Sequence, residues 1–147
     1  MRVYIGSDHA GYTLKEALQK HLKSQDHEVV DLGCFRESSI DYPDIAHEVA
    51  DKVAENKGSY GVLICGTGIG MSMAANTIPG VRAAVCTSEE MAEMTRRHND
   101  ANVVCLGARL IPEELAKKIT DKFLITEFES GEERHVRRVN KIERKNA

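Results

Sequence analysis

Short apolar-rich runs, the second and fourth interrupted by charged residues, alternate along the chain with stretches in which apolar residues recur every three or four positions. The runs are Val3–Gly6, His27–Leu32, Tyr60–Cys65, Val81–Cys86 and Asn102–Leu106. A strand with one wet face alternates apolar and polar residues, whereas one buried on both faces does not, so these runs predict strands of a covered parallel sheet. Between them, Leu14, Ala17, Leu18 and Leu22 form one helical stripe, and Ile45, Ala46, Val49, Ala50 and Val53 form another. The second stripe follows a turn-rich segment, Ser38 to Asp44, in which Pro43 is placed for a helix entry. Thr87-Ser88-Glu89-Glu90 predicts a further helix start, and Pro112-Glu113-Glu114 opens a helix expected to end near Phe128. The pattern predicts an α/β fold: a single-domain, doubly wound α/β/α sandwich over residues 1–147, Rossmann-like, with a five-stranded parallel sheet. Residues 131–147 close the chain with a basic segment holding Arg134, His135, Arg137, Arg138, Lys141, Arg144 and Lys145. Read as a helix, that segment would bury Val136, Val139 and Ile142.

Composition narrows the function classes. The 147 residues are 41% apolar and 29% charged, with a net charge of −3, as expected of one globular domain. No excess of positive charge displaces phosphate counterions, so nucleic acid is not an expected partner. No apolar stretch is long enough to span a bilayer, and Met1–Gly6 is too short for a signal peptide. The cysteines, Cys34, Cys65, Cys86 and Cys105, form neither a CxxC pair nor a zinc-spaced cluster. They are expected to be reduced thiols of a cytoplasmic protein, with no metal site and no cofactor. Cys86 and Cys105 read as packing residues, while Cys34, in loop sequence, carries no reading.

In an open parallel sheet, ligands bind beyond the carboxyl ends of the strands. Ser7-Asp8-His9 follows the first strand, Cys65-Gly66-Thr67-Gly68-Ile69-Gly70 the third, and Gly107-Ala108-Arg109 the fifth. If the first and third strands are neighbours, Asp8 and His9 face the glycine loop. Glycines at alternate positions let backbone approach a ligand, and the helix start beyond them aims free N–H groups at negative charge. The loop lacks the Gly-Lys-Ser/Thr of a nucleoside triphosphate loop. It has Met71 where a cysteine phosphatase needs arginine, and Cys65 where a phospho-receiver needs aspartate. Its last glycine is one residue early for a dinucleotide fingerprint. What remains is a thiol at the sheet edge facing a helix start, a setting that favours the thiolate and suits a base.

Gly6-Ser7-Asp8-His9-Ala10-Gly11, Asp41-Tyr42-Pro43, the Cys65–Gly70 loop, Arg96-Arg97-His98-Asn99-Asp100, Asn102 through Arg109 and Gly131 through Val139 together resemble the type B ribose-5-phosphate isomerases of the ribose/galactose isomerase superfamily. The resemblance implies metal-free interconversion of ribose 5-phosphate and ribulose 5-phosphate through an enediolate. It makes Cys65 the base, with the Gly66, Thr67, Gly68, Ile69 and Gly70 segment stabilising the developing oxyanion and Thr67 adding a hydroxyl. His98 is implied in ring opening, with Asn99 beside it, Asp8 and His9 as substrate-binding residues, and Tyr42 lining the sugar site. Arg109, Arg134 and Arg138 match the positions that hold the phosphate; His135 lies in the matched segment without a role. Members that lack the cysteine use a glutamate further on, but here the stretch reads Met71-Ser72-Met73-Ala74, which places this chain with the cysteine branch. An isomerase of a phosphorylated hexose, such as allose 6-phosphate or galactose 6-phosphate, is the alternative substrate reading. A non-catalytic phosphate- or nucleotide-binding module is the alternative from another class, and it leaves Cys65 and His98 without a task.

Topology adds an expectation about assembly. Cys65 ends a strand, whereas His98 ends a helix that runs back from that edge. About ten helical residues cover ~15 Å, so His98 is expected near the opposite edge, out of reach of its own Cys65. A twofold homodimer, or a dimer of such dimers, would bring the two edges together into shared sites for a small sugar phosphate. The basic tail is expected to contribute to that dimer and to the phosphate site.

Overall fold

A computed structural model describes residues 1–35 and 39–144. Its strands are β1 (Arg2–Ser7), β2 (Glu28–Asp31), β3 (Tyr60–Cys65), β4 (Ala83–Val85) and β5 (Val103–Gly107). They form one parallel sheet in the order β2-β1-β3-β5-β4, so the first and third strands are neighbours, the condition for Asp8 and His9 to face the glycine loop. Among the described residues, six helices connect and follow them: α1 (Tyr12–Ser24), α2 (Tyr42–Glu55), α3 (Ile69–Ala75), α4 (Glu89–Asn99), α5 (Glu113–Ile125) and α6 (Glu133–Asn140). Among the described residues no helix is long and apolar enough to cross a membrane.

The unbroken strand runs serve two cores. Val3, Ile5, Val62, Ile64, Val104 and Leu106 pack on one face with Leu18 and Leu22 of α1, Ala92 of α4 and Phe123 of α5. Tyr4, Leu63, Cys65, Val103 and Cys105 pack on the other with Val49, Ala50 and Val53 of α2 and Met71 and Ala75 of α3. Each large apolar side chain so buried stabilises the fold by roughly 1.5–3 kcal/mol. Cys86 and Cys105 are packing residues, as the sequence suggests.

Element ends depart from expectation where polar side chains intervene. β4 is shorter than Val81–Cys86 and lies at the sheet edge; the Asn76 side chain takes both the N–H and the carbonyl of Ala83, at 2.8 and 2.9 Å. That closes backbone groups which would otherwise invite a further strand. α5 ends at Ile125 rather than Phe128, because Thr126 is extended and its carbonyl accepts from Arg96. In α1, Ala17 is only half-buried, and the fully buried polar residue is Lys15, whose Nζ lies 2.7 Å from Asp31 Oδ2. The expected tail stripe is not buried: Val136 and Val139 are half-covered, Ile142 is 54% exposed, and His135 is the residue α6 buries. Ser38 and Lys145, named in the sequence reading, lie outside the described residues.

Candidate active site

Register places the sheet-edge residues. Ser7 pairs with Ile64, and the Asp8 N–H continues the ladder to the Ile64 carbonyl at 3.1 Å. Cys65 pairs with Gly107, after which Ala108 and Arg109 donate to the carbonyls of Cys65 and Gly66. Asp8, Cys65 and Arg109 therefore leave three adjacent strands at one edge, with strands ~4.8 Å apart. Asp8 is buried and accepts from the Gly11 N–H at 3.1 Å, which fixes its carboxylate. His9 Nδ1 is buried with no hydrogen-bond partner among the described residues, an unusual state for a polar atom unless a ligand completes it.

The glycine loop turns sharply out of β3. Gly68 sits at φ 81°, and a side chain there would also press on the Leu106 backbone at 3.0–3.1 Å. The turn brings the Gly68 N–H to 3.1 Å from Cys65 Sγ, a donor aimed at the sulfur. The Ile69 N–H goes to Thr67 Oγ1 at 3.2 Å. Two amides expected to serve an oxyanion are thus engaged inside the loop, while the Thr67 hydroxyl, acting there as acceptor, keeps its own proton to donate. The Tyr42 ring lies directly against Gly70; a Cβ at that position would stand 2.6 Å from Tyr42 Cε1. Arg109 closes over Gly66, its Nη1 3.1 Å from where a Cβ would be. Ile69 remains 48% exposed on the outer face.

Cys34, opaque in the sequence, is buried beside this edge. Ser7 donates to the Gly33 carbonyl at 2.7 Å and accepts from the Cys34 N–H at 2.8 Å, so Gly33 and Cys34 brace β1 just before Asp8.

The remaining site residues gather elsewhere. His98, Asn99, His135 and Arg138 line one pocket of about 290 Å³ with Val139 and Ile142. The His98 and His135 rings stack, with centroids 4.5 Å apart and planes 15° from parallel. Both Nε2 atoms approach Glu129 Oε1, at 3.5 and 3.3 Å. Glu129 also accepts from Arg97 Nη2 at 2.8 Å, and that hydrogen bond is the main reason its carboxyl is held below the usual range. Arg134 points outward, 3.8 Å from Glu132. His135 and Glu129 carry no sequence signal of their own, although His135 lies inside the matched segment.

Two groups therefore stand at opposite edges. Arg96, two residues before His98, donates to the Tyr60 hydroxyl at 3.1 Å, and Tyr60 begins the strand that Cys65 ends. At ~3.3 Å per strand residue, that separates the edges by roughly 16 Å. His98 is at the amino edge, as the topology predicts.

The fold and the sheet-edge cluster define a doubly wound α/β protein organised around a strand-end thiol, an aspartate and an unsatisfied histidine. The family model for Ribose/Galactose Isomerase matches residues 3–142, and the chain belongs to that family. It is 43% identical over 141 residues to ribose-5-phosphate isomerase B of Escherichia coli, covering 96% of this chain and 93% of that one. Ribose 5-phosphate isomerase from Thermotoga maritima superposes with a TM-score of 0.93 at 46% identity, covering 97% of both chains. Ribose-5-phosphate isomerase B from Mycoplasma genitalium, solved with bound ribulose-5-phosphate, superposes with a TM-score of 0.92 at 47% identity, covering 98% of this chain and 95% of that one.

Proposed function

We propose that this chain interconverts ribose 5-phosphate and ribulose 5-phosphate, as a homodimer in which each site joins the Cys65 edge of one subunit to the His98 edge of its partner. The observation that carries this reading is the donor-lined thiol of Cys65 beside Asp8 and the orphaned His9 nitrogen. The supporting resemblance is a relative solved with ribulose-5-phosphate. In the open-chain aldose, the Cys65 thiolate takes the proton from carbon 2. The C–H electrons form the carbon 1–carbon 2 double bond, and the aldehyde oxygen becomes the oxyanion. A proton passes between the two oxygens, and return of the thiol proton to carbon 1 gives the ketose. Remaining loop amides and the Thr67 hydroxyl meet the oxyanion, where each well-placed donor is worth ~3 kcal/mol of barrier. The partner's His98 opens the sugar ring with Asn99 beside it, and Tyr42 lines the sugar. Arg109, with the partner's Arg134 and Arg138, holds the phosphate through planar, forked contacts. Four free cysteines fit a reducing, cytoplasmic setting.

Cys65→Ala is expected to abolish turnover while leaving ribose 5-phosphate binding intact. The decisive measurement is solvent exchange of the carbon 2 proton. A Cys65→Ala variant exchanging it at the wild-type rate removes Cys65 as the base. A coupled assay should show higher kcat/KM for ribose 5-phosphate than for allose 6-phosphate; the reverse order assigns the hexose.

A further inference from the structure

Glu129 stands in the turn between α5 and α6, outside every strand end, and yet three cationic or potentially cationic side chains converge on it. Arg97 of α4 donates at 2.8 Å, while His98 of α4 and His135 of α6 place Nε2 at 3.5 and 3.3 Å from one oxygen. Its backbone is fixed from both sides. The Glu129 N–H donates to the Arg97 carbonyl at 3.1 Å, and its own carbonyl accepts from Glu132 at 3.1 Å, one turn before α6. The carboxylate is thus a rigid part of the α4–α6 junction.

His98, Glu129 and His135 keep possible ligand atoms within 4.8 Å of one another, which raises the question of a metal. The ring geometry answers against it. Imidazoles bind metals in the ring plane at ~2.0–2.1 Å. With the planes only 15° from parallel and the centroids 4.5 Å apart, a cation that close to both nitrogens would lie far out of at least one plane. A carboxylate at ion-pair distance tolerates that arrangement, because its attraction is not confined to the ring plane.

We propose that Glu129 is a positioning residue for ring opening: its carboxylate, anchored by Arg97, holds the His98 imidazole stacked on His135 at the orientation in which His98 exchanges protons with the sugar. The inference rests on the ring-opening role given above to His98. A base or acid contributes ~10²–10⁴-fold only when held within hydrogen-bond reach of its proton. His98 is half-exposed and at a helix end, and its own backbone does not fix its side-chain torsions. The stack and the shared carboxylate supply that restraint.

The test separates ring opening from enolisation. Ribulose 5-phosphate carries its phosphate on the oxygen that would close a ring, so it is open-chain. Exchange of its carbon 1 hydrogen with deuterated solvent therefore reports Cys65 chemistry without ring opening. Glu129→Gln keeps the shape and removes the charge. It is expected to lower kcat on ribose 5-phosphate at least ~10-fold, with KM within about twofold because the phosphate arginines are untouched. Carbon 1 exchange in ribulose 5-phosphate should continue at the wild-type rate, which also shows that the variant is folded, and size-exclusion chromatography should give the wild-type assembly. Glu129→Asp should recover part of the lost kcat. If Glu129→Gln turns over ribose 5-phosphate normally while His98→Ala is inactive, the Glu129 assignment falls alone. A parallel loss of turnover and exchange overturns it as well, since the defect then lies outside ring opening. Normal turnover by His98→Ala overturns the role given to His98, and this inference with it.

Discussion

Cys65, Cys86 and Cys105 are buried thiols in unlike surroundings. Burial pushes the Cys86 thiol up to about 11. Burial raises Cys105 well above the ordinary range, with the Cys65 and Cys86 sulfurs adding to the effect. Neither forms appreciable thiolate near neutral pH, and only thiolate is alkylated. Cys65 differs in having the Gly68 N–H aimed at its sulfur from a loop in which Thr67 and Ile69 are exposed. Iodoacetamide at pH 8 is therefore expected to inactivate the protein with modification of Cys65 ahead of Cys86 and Cys105, and bound substrate should slow it. Peptide mapping by mass spectrometry during inactivation checks this; activity lost in step with Cys86 or Cys105 labelling contradicts it. At this scale the sequence was informative where a side chain follows a strand end, as at Asp8, Cys65 and Arg109, which the structure gathers at one sheet edge. It was uninformative at Glu129 and Lys15. A glutamate in a connecting turn has no spacing rule, and a lysine in an apolar helical stripe reads as exposed until its counter-ion, Asp31, arrives from β2.

At the scale of elements, the C-terminal end of α4 depends on one side chain. Arg96 is 4% exposed. Its guanidinium donates to the Thr126 carbonyl at 3.0 Å, the Ala101 carbonyl at 2.6 Å, Asp100 at 2.8 Å and the Tyr60 hydroxyl at 3.1 Å. It also packs over the Tyr60 and Phe123 rings. Arg96→Met keeps much of the volume but orphans two backbone carbonyls, and removing one side of such a buried network costs about 3 kcal/mol or more. Urea titration should show a loss of that order, and kcat should fall too, because His98 is carried on the same turn. A variant within about 0.5 kcal/mol of wild type would show that the network adds little, as for ordinary surface substitutions. Strand identity was legible because unbroken apolar runs such as Tyr60–Cys65 admit few alternatives, whereas strand order rests on pairings between distant segments that no run by itself encodes. Element ends were also less legible. β4 and α5 stop where Asn76 and Arg96 engage backbone groups, and α6 buries a histidine where its valines and Ile142 were expected.

For the whole molecule, the decisive fact is that β3 stands between Cys65 and the turn carrying His98. The proposed sharing of sites has a direct test by mixing two inactive variants, Cys65→Ala and His98→Ala, after subunit exchange. Half of randomly formed dimers are hybrid, and each hybrid has one site free of both lesions, so about a quarter of wild-type activity should return. Verified hybrids without activity would end the shared-site arrangement.

If sites are shared as proposed, the same sheet-wide gap sets how activity depends on abundance. Under the proposed shared-site arrangement, a lone chain would have a base without its ring-opening partner, and turnover of the closed sugar would itself be a product of association. Below the dissociation constant of the pair, the number of working sites rises with the square of chain concentration, by mass action. Halving the supply of chains would then cost three-quarters of the flux, while well above that constant the same change would cost only half. Scarce chains would be metabolically silent rather than weakly active.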